Sequence, residues 1–389
     1  MKIYFKNLDG LRFFAAFFVV LHHAQFFKDI NPTPLSSLFS PYLEQAGKMG
    51  VNLFFVLSGF LISYLLFAER KATGTISLKK FYIRRALRIW PLYFAYGLMI
   101  ILVTPVFFQV LGINIATINF REILVDIVFL LLFAVNFQLA FFSYNKSIVE
   151  IIWSVCVEEQ FYLIWPLILR KFFNKLVGLI LCLFAFGMIS KIVLHIITIW
   201  FHLDRDFMML FDYLMLTNKV ELFAAGMAAA YVHFNREKYT SLIAFLQKKP
   251  LQWLLILVTI FFILTNNFYL PVNGLRYYYF TDYTSAVLFA FIIFNIVQEG
   301  SVLNLEYPIF RTLGKISYGI YLFHPPVCRV VLLFITKILK LPNSFIAYDI
   351  FYPLLATTVT SLLAYFSYEF FEKRFLKLKN KFAIIKTRV

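Results

Sequence analysis

Leu8-Asp9-Gly10-Leu11-Arg12-Phe13-Phe14-Ala15-Ala16-Phe17-Phe18-Val19-Val20-Leu21-His22-His23 opens the chain as a membrane span would, yet it carries an arginine and two histidines. Ionisable groups at membrane depth are costly and persist mainly where they are paired or functional. Arg12 and His23 are eleven residues apart. That is about three helical turns, so both project from one face, roughly 16 Å apart along the axis. One face of one helix then offers a fixed cation near one membrane surface and an imidazole deeper in. Snorkelling of Arg12 to the interface and a purely structural His23 are the competing readings. A second histidine, His22, and Asp9, placed to pair with Arg12 at i,i+3, favour chemistry inside a membrane.

The rest of the 389 residues fits that setting. The chain is 61% hydrophobic and 15% charged, with a mean hydropathy of +0.79; soluble domains carry about 25% charged residues. Apolar runs of span length recur near 8–27, 47–68, 89–111, 122–142, 151–169, 176–200, 216–234, 251–268, 281–298, 313–338 and 349–371. The net charge of +17 comes largely from short basic loops and the tail, as the positive-inside rule requires, and no nucleic-acid recognition motif accompanies it. Cys156, Cys182 and Cys328 fall inside apolar runs and read as small buried hydrophobes rather than a disulfide or metal set. Lys2 and Lys6 precede the first run, but Asp9 and Arg12 interrupt it and no small-residue cleavage site follows. It reads as a retained span rather than a signal peptide.

Charge places the N-terminus, 69–90, 170–175, 235–250, 298–312 and the tail in the cytoplasm. Eleven crossings would separate the termini, and the conflict localises to 89–169. Either 122–142 or 151–169 is therefore expected to be re-entrant or tilted, which is tolerated where backbone lines a cavity. The expected architecture is an all-α polytopic membrane domain over 1–375. It has about ten transmembrane helices plus that one segment, both termini cytoplasmic, and a short basic tail over 376–389. There is no internal repeat, so an inverted-repeat transporter is disfavoured.

Further polar residues interrupt the later runs. Asn52 and Ser58 stand in Gly50-Val51-Asn52-Leu53-Phe54-Phe55-Val56-Leu57-Ser58-Gly59, where small residues allow helices to approach and the polar pair can line a cavity. Arg85 and Arg88 share a helical face at i,i+3, beside Trp90 and Tyr93. Paired guanidiniums grip phosphate oxygens, so a phosphate-rich cytosolic cofactor, with its base stacked on an aromatic, suits this mouth; anionic lipid headgroups compete for it. Glu158 and Glu159 are adjacent in an apolar run. They diverge by about 100° on a helix, so one can pair with an arginine while the other faces a cavity. Tyr318, Tyr321 and His324 recur along one stripe before Pro325 and Pro326, which are expected to interrupt the helix and free carbonyls. No Gly-rich phosphate loop, nucleophile elbow or metal-spaced His/Cys cluster is present, so no metal cofactor is expected.

In order along the chain, Arg12-x10-His23, Phe54-Phe55-Val56-Leu57-Ser58-Gly59-Phe60-Leu61-Ile62, Arg85-x-x-Arg88, Trp153-Ser154-Val155-Cys156-Val157-Glu158-Glu159-Gln160-Phe161-Tyr162 and Ile316-Ser317-Tyr318-Gly319-Ile320-Tyr321-Leu322-Phe323-His324 resemble the acyltransferase-3 family of membrane-bound acyltransferases. Tyr368-Glu369-Phe370-Phe371-Glu372-Lys373-Arg374 is similar to the family's closing segment, except that Lys373 stands where Pro is common. The resemblance implies ten spans with a cytoplasmic N-terminus, acetyl-CoA or another acyl-CoA as donor, and a surface-glycan hydroxyl as acceptor. A bacterial inner membrane would be the setting. His23 is then the expected base or acyl carrier, helped by Arg12 and by Glu158 or, preferably, Glu159. Arg85, Arg88 and Tyr93 are expected to hold the donor, with Asp9, His22, Asn52, Ser58, Tyr321 and His324 supporting. The competing function is a transporter or flippase for an anionic glycolipid, which needs no acyl-CoA.

Overall fold

The computed structural model describes residues 2–28, 36–103, 106, 120–142, 151–265, 270–272, 275–277 and 279–387. Parts of the 89–111 run and the end of the 376–389 tail lie outside the described residues. Among the described residues, six segments are long and apolar enough to cross a membrane: Leu8–Lys28, Gln45–Thr73, Leu78–Leu102, Trp153–Trp200, Ser317–Ile338 and Ile346–Phe382. A seventh is reached if Thr240–Leu246 and Lys249–Thr265, bent by 62°, form one span; Val220–Phe234 and Thr281–Ile296 are shorter apolar helices. The 122–142 run is broken into Phe120–Leu131 and Val135–Phe142. Phe133 sits between them at φ 51°, a backbone conformation unusual for an aromatic residue. By contrast, 151–169 lies within one helix, Trp153–Phe172.

The elements used below are α1 (Leu8–Lys28), α2 (Ser36–Thr73), α3 (Leu78–Leu102), α4 (Trp153–Phe172), α5 (Leu176–Trp200), α6 (Val220–Phe234), α7 (Tyr279–Ile296), α8 (Pro308–Lys315), α9 (Ser317–Leu333) and α10 (Lys373–Lys379). The described residues are overwhelmingly helical, as expected, with two small ladders besides. Lys2–Ile3 pairs in parallel with Lys386–Thr387, and Leu270–Val272 pairs antiparallel with Leu275–Tyr277. The first ladder brings the two ends of the chain to one face. The 298–312 segment joins them there: Glu306 accepts from the Tyr4 hydroxyl (2.6 Å) and from the Asn7 backbone N–H, and Asn7 Oδ1 accepts from Leu305 N (2.6 Å). Asn7 adopts φ 64°, which asparagine tolerates better than most residues.

The densest packing is along α2. At its crossing with α6, a Cβ on Gly59 would collide with the Phe223 carbonyl, and a Cβ on Gly226 with that of Val56. Two facing glycines thus let the backbones touch, the small-residue solution for helix pairs in lipid. The outer helices are oily on their exposed side. α5 presents Leu181, Phe186, Ile189, Ile192 and Ile196 outward and buries only Ile180, Gly187 and Lys191. Lys191, 0% exposed, holds it in place: Nζ donates to Glu221 Oε1 on α6 (2.5 Å) and Asp282 Oδ2 on α7 (3.0 Å). Lys219 reaches the same Asp282 oxygen (2.8 Å), and Asn52 Nδ2 on α2 donates to Asp282 Oδ1 (3.0 Å) and Ser285 Oγ (3.1 Å).

Two local expectations are corrected. Cys182 is exposed on α5, whereas Cys156 and Cys328 are buried; all three are free thiols. An apolar run marks contact with lipid as readily as contact with core, so the run alone does not bury its cysteine. Pro325 and Pro326 do not interrupt the helix, since α9 runs through them. Pro325 lacks the N–H that would bond the Tyr321 carbonyl, and His324 Nδ1 lies 2.7 Å from that carbonyl oxygen instead. The imidazole supplies the missing donor, so the helix continues.

Gly226→Val should force α2 and α6 apart and cost on the order of 1–3 kcal/mol or more. In detergent, its thermal unfolding midpoint should fall well below wild type. Gly178, around which nothing lies within 4 Å, should accept alanine with no loss; equal midpoints for wild type and Gly226→Val would refute this account of the crossing.

Candidate active site

A cavity of about 220 Å3 opens among α1, α2, α3, α4, α9 and the C-terminal segment. Its wall mixes apolar side chains with polar ones that the elements bring together across the chain. Arg12 lies one turn into α1 and pairs with Asp9 at 3.3 Å, as their spacing predicts. α8 presses on this turn so closely that a Cβ on Gly314 would overlap the Asp9 carbonyl. Arg85 and Arg88 come from one face of α3, and both line the cavity. The Arg85 guanidinium lies 5.6 Å from the centre of the Tyr162 ring, while its buried Nε has no hydrogen-bond partner. Arg84, the residue before Arg85, points elsewhere: it donates to Glu69 (2.9 Å) and to the Phe382 carbonyl (3.1 Å).

On the facing wall, Glu158 accepts hydrogen bonds from Ser58 and Tyr162, and the Tyr162 hydroxyl also lies 3.1 Å from Ser58 Oγ. Glu159 diverges, as adjacent helical residues must. It accepts from Trp90 Nε1 at 2.8 Å and is not among the lining residues. Tyr93 is also outside the cavity, buried with its hydroxyl on the Leu130 carbonyl (3.0 Å) and 3.3 Å from Cys156 Sγ. Ser58 lines the cavity, whereas Asn52 is committed to the ion cluster on the other side of α2.

The inner wall is Tyr321, whose hydroxyl shares a hydrogen bond with Ser154 Oγ at 2.6 Å. Behind its ring stands His324, 5.9 Å away centre to centre, and beyond it His23, 4.8 Å from His324. His22 packs against His23 at 4.7 Å. The histidines are thus a group of their own, adjoining the cavity through Tyr321 and not lining it. His23 Nδ1 lies 2.9 Å from the Val19 carbonyl. A carbonyl only accepts, so Nδ1 carries the proton in both His23 and His324, and each Nε2 presents a lone pair. That of His324 is buried without a partner.

Five cationic side chains line the cavity (Arg12, Arg85, Arg88, Lys315 and Lys379) against three carboxylates, Asp9, Glu158 and Glu372. The excess fits an anion with several charges. No group of three or more His, Cys, Asp or Glu side chains placed to hold a metal ion occurs among the described residues. Sequence reasoning did not single out Lys315 or Lys379, which look like ordinary loop and tail charges. It also missed Lys191, Lys219, Glu221 and Asp282; the lone lysine in the middle of the 176–200 run was the available signal.

Residues 5–366 match the family described as an acyltransferase domain, Acyl_transf_3. The chain is 26% identical to the peptidoglycan O-acetyltransferase OatA of Listeria monocytogenes over 396 residues, which cover 95% of this chain and 55% of that protein. It is 26% identical to the O-acetyltransferase OatA of Staphylococcus aureus over 386 residues, covering 95% and 57% respectively. The chain therefore spans about half the length of these curated relatives. No solved structure matches it. With the match running from residue 5, just ahead of α1, to residue 366, and with each of the five motifs contributing a polar residue to the cavity or to the histidines beside it, the chain belongs to the acyltransferase-3 family.

Proposed function

We propose that this protein is a multi-pass membrane O-acyltransferase that moves an acyl group, acetyl by preference, from cytoplasmic acyl-CoA to a hydroxyl of a cell-surface glycan. The observation that carries this reading is the convergence of Arg12, Arg85 and Arg88 on one cavity, with a proton-accepting histidine pair beyond its Tyr321 wall. The relatives' names supply the acetyl group and a glycan acceptor. The setting would be a bacterial inner membrane with both termini cytoplasmic. Pairing of the chain ends on one face requires an even number of crossings, and the break near Phe133 supports 122–142 as the run that does not cross. About ten crossings then accommodate the positive-inside pattern.

In this reading Arg85 and Arg88 bind the phosphates of the donor, as paired guanidiniums do. The unpartnered Arg85 Nε and the cationic excess of the wall fit such a guest. Arg12, steadied by Asp9, holds the donor nearer the thioester. Of the adjacent carboxylates, Glu158 faces the cavity and is favoured for orienting substrate; Glu159 buttresses Trp90. His23 Nε2 takes the proton of the acceptor hydroxyl while its oxygen bonds to the thioester carbonyl carbon. The carbon–sulfur bond breaks, and the proton ends on the departing CoA sulfur, so atoms and charge balance.

Purified protein in lipid, given acetyl-CoA and a native glycan extract, should release free CoA thiol. His23→Ala should cut that release by roughly 10²–10⁴-fold, the usual worth of a general base, while inserting and folding normally. An inserted His23→Ala protein with wild-type turnover would refute the assignment. No release by wild type from acetyl-CoA or longer acyl-CoAs would favour the flippase reading.

Arg85→Lys and Arg88→Lys keep a point charge but lose the planar fork. Each should raise the KM for acetyl-CoA by about tenfold, equivalent to roughly 1.4 kcal/mol of lost binding, with kcat less affected. A fall in kcat at constant KM would instead place these arginines at the reacting atoms.

A further inference from the structure

Lys379 is the last residue of α10 and lies beyond residue 366, where the family match ends. Its neighbours behave as tail lysines should: Lys377 is exposed, and Lys373 pairs with Glu369 at 2.7 Å on the outer side. Lys379 is only 7% exposed and lines the cavity with Arg12, Arg85 and Arg88. Among the described residues no carboxylate pairs with it, and Glu372, the nearest acid on the same segment to line the cavity, accepts from Ser367 instead (3.2 Å). An ammonium withdrawn from water without a counter-ion is costly, and here it also faces guanidiniums of like charge.

Its position is nonetheless held by the residues that follow it. Three residues further on, the Phe382 carbonyl accepts from Arg84, which also pairs with Glu69, and beyond it the Lys386–Thr387 strand pairs with the N-terminal strand. A tail that was merely solvated would leave this lysine in water. We propose that Lys379 is a phosphate-binding residue, contributed by the C-terminal segment to a site for a polyphosphorylated ligand. The inference rests on the reading above, in which that ligand is acyl-CoA; a phosphate of an anionic lipid headgroup is the same chemistry from another source.

The test is calorimetric binding of CoA and of inorganic pyrophosphate to the full chain in nanodiscs of zwitterionic lipid. Wild type is compared with Lys379→Met, Lys379→Arg and Lys377→Met, and the thermal midpoint of each is recorded with and without ligand. Lys379→Met should weaken both ligands about tenfold, the loss expected from one charge-assisted hydrogen bond. It should leave the ligand-free midpoint unchanged or higher, because a buried repulsive charge has gone. Lys379→Arg should restore most of the affinity, and Lys377→Met should match wild type. A merely structural lysine would lower the ligand-free midpoint and leave affinity alone, which would overturn the proposal. So would unchanged CoA affinity in a folded Lys379→Met protein, including the case where only added anionic lipid binds less well. Wild type binding pyrophosphate but not CoA would overturn the acyl-CoA reading while the Lys379 comparison still stands on pyrophosphate. Binding of neither would overturn both.

Discussion

One cluster of charges that answer one another holds the helices of this fold together. Lys191, Lys219, Glu221 and Asp282, with Asn52, join α2, α5, α6 and α7 and the turn before α6. In lipid, apolar side chains gain little by leaving one oily neighbour for another, so association leans on close packing and polar contacts. α5 shows the consequence. It has almost no buried apolar face, and what it does bury includes Gly187 and Lys191, one turn apart. The glycine leaves room for the Glu221 carboxylate and the Tyr283 hydroxyl, and the lysine then reaches two acids at once. Removing one member of such a cluster strands its partners, which is why buried pairs are costly to break even when they are not large net stabilisers.

The cavity on the other side of α2 obeys the opposite rule. Its cations outnumber its acids. Ser58, Glu158 and Tyr162 satisfy one another, which takes from Arg85 and Arg88 the hydrogen bonds of the Glu158 carboxylate. α2 separates the two environments within two turns, Asn52 facing the closed cluster and Ser58 the open one. Residues at i and i+6 project about 120° apart on a helix, so the spacing lets Asn52 and Ser58 face different neighbours.

That spacing argument marks what the sequence made legible. Arg12 with Asp9, Arg85 with Arg88, and the divergence of Glu158 from Glu159 are all local, set by helical geometry alone, and each is found as the periodicity predicts. Which of the two glutamates faces the cavity depends on how α4 is rotated against α2 and α3, and periodicity carries no information about rotation. Tyr93 shows the same limit: it shares the aromatic neighbourhood of Arg88 in sequence but turns to Leu130 and Cys156. Lys379 was illegible for another reason. Basic tails are usually solvated, and only the Arg84 contact and the terminal ladder, both joining residues nearly 300 or more positions apart, show that this one is not.

Tyr321 joins the two halves of the candidate site. Its ring forms part of the cavity wall, its hydroxyl is held by Ser154, and its carbonyl, left without a helical donor by Pro325, is answered by His324. One residue therefore shapes the cavity and, through the proline four residues on, which leaves its carbonyl for His324, fixes the tautomer of the buried imidazole. His23 is fixed in the same way by the carbonyl of Val19 on α1. Two helices thus present two imidazoles in edge contact, each with Nδ1 occupied by its own backbone and Nε2 left as a base. An imidazole used only for packing has no need of a particular tautomer. In the proposed reaction, such a pair, both set alike and with one lone pair buried and unanswered, would receive the proton that arrives with substrate.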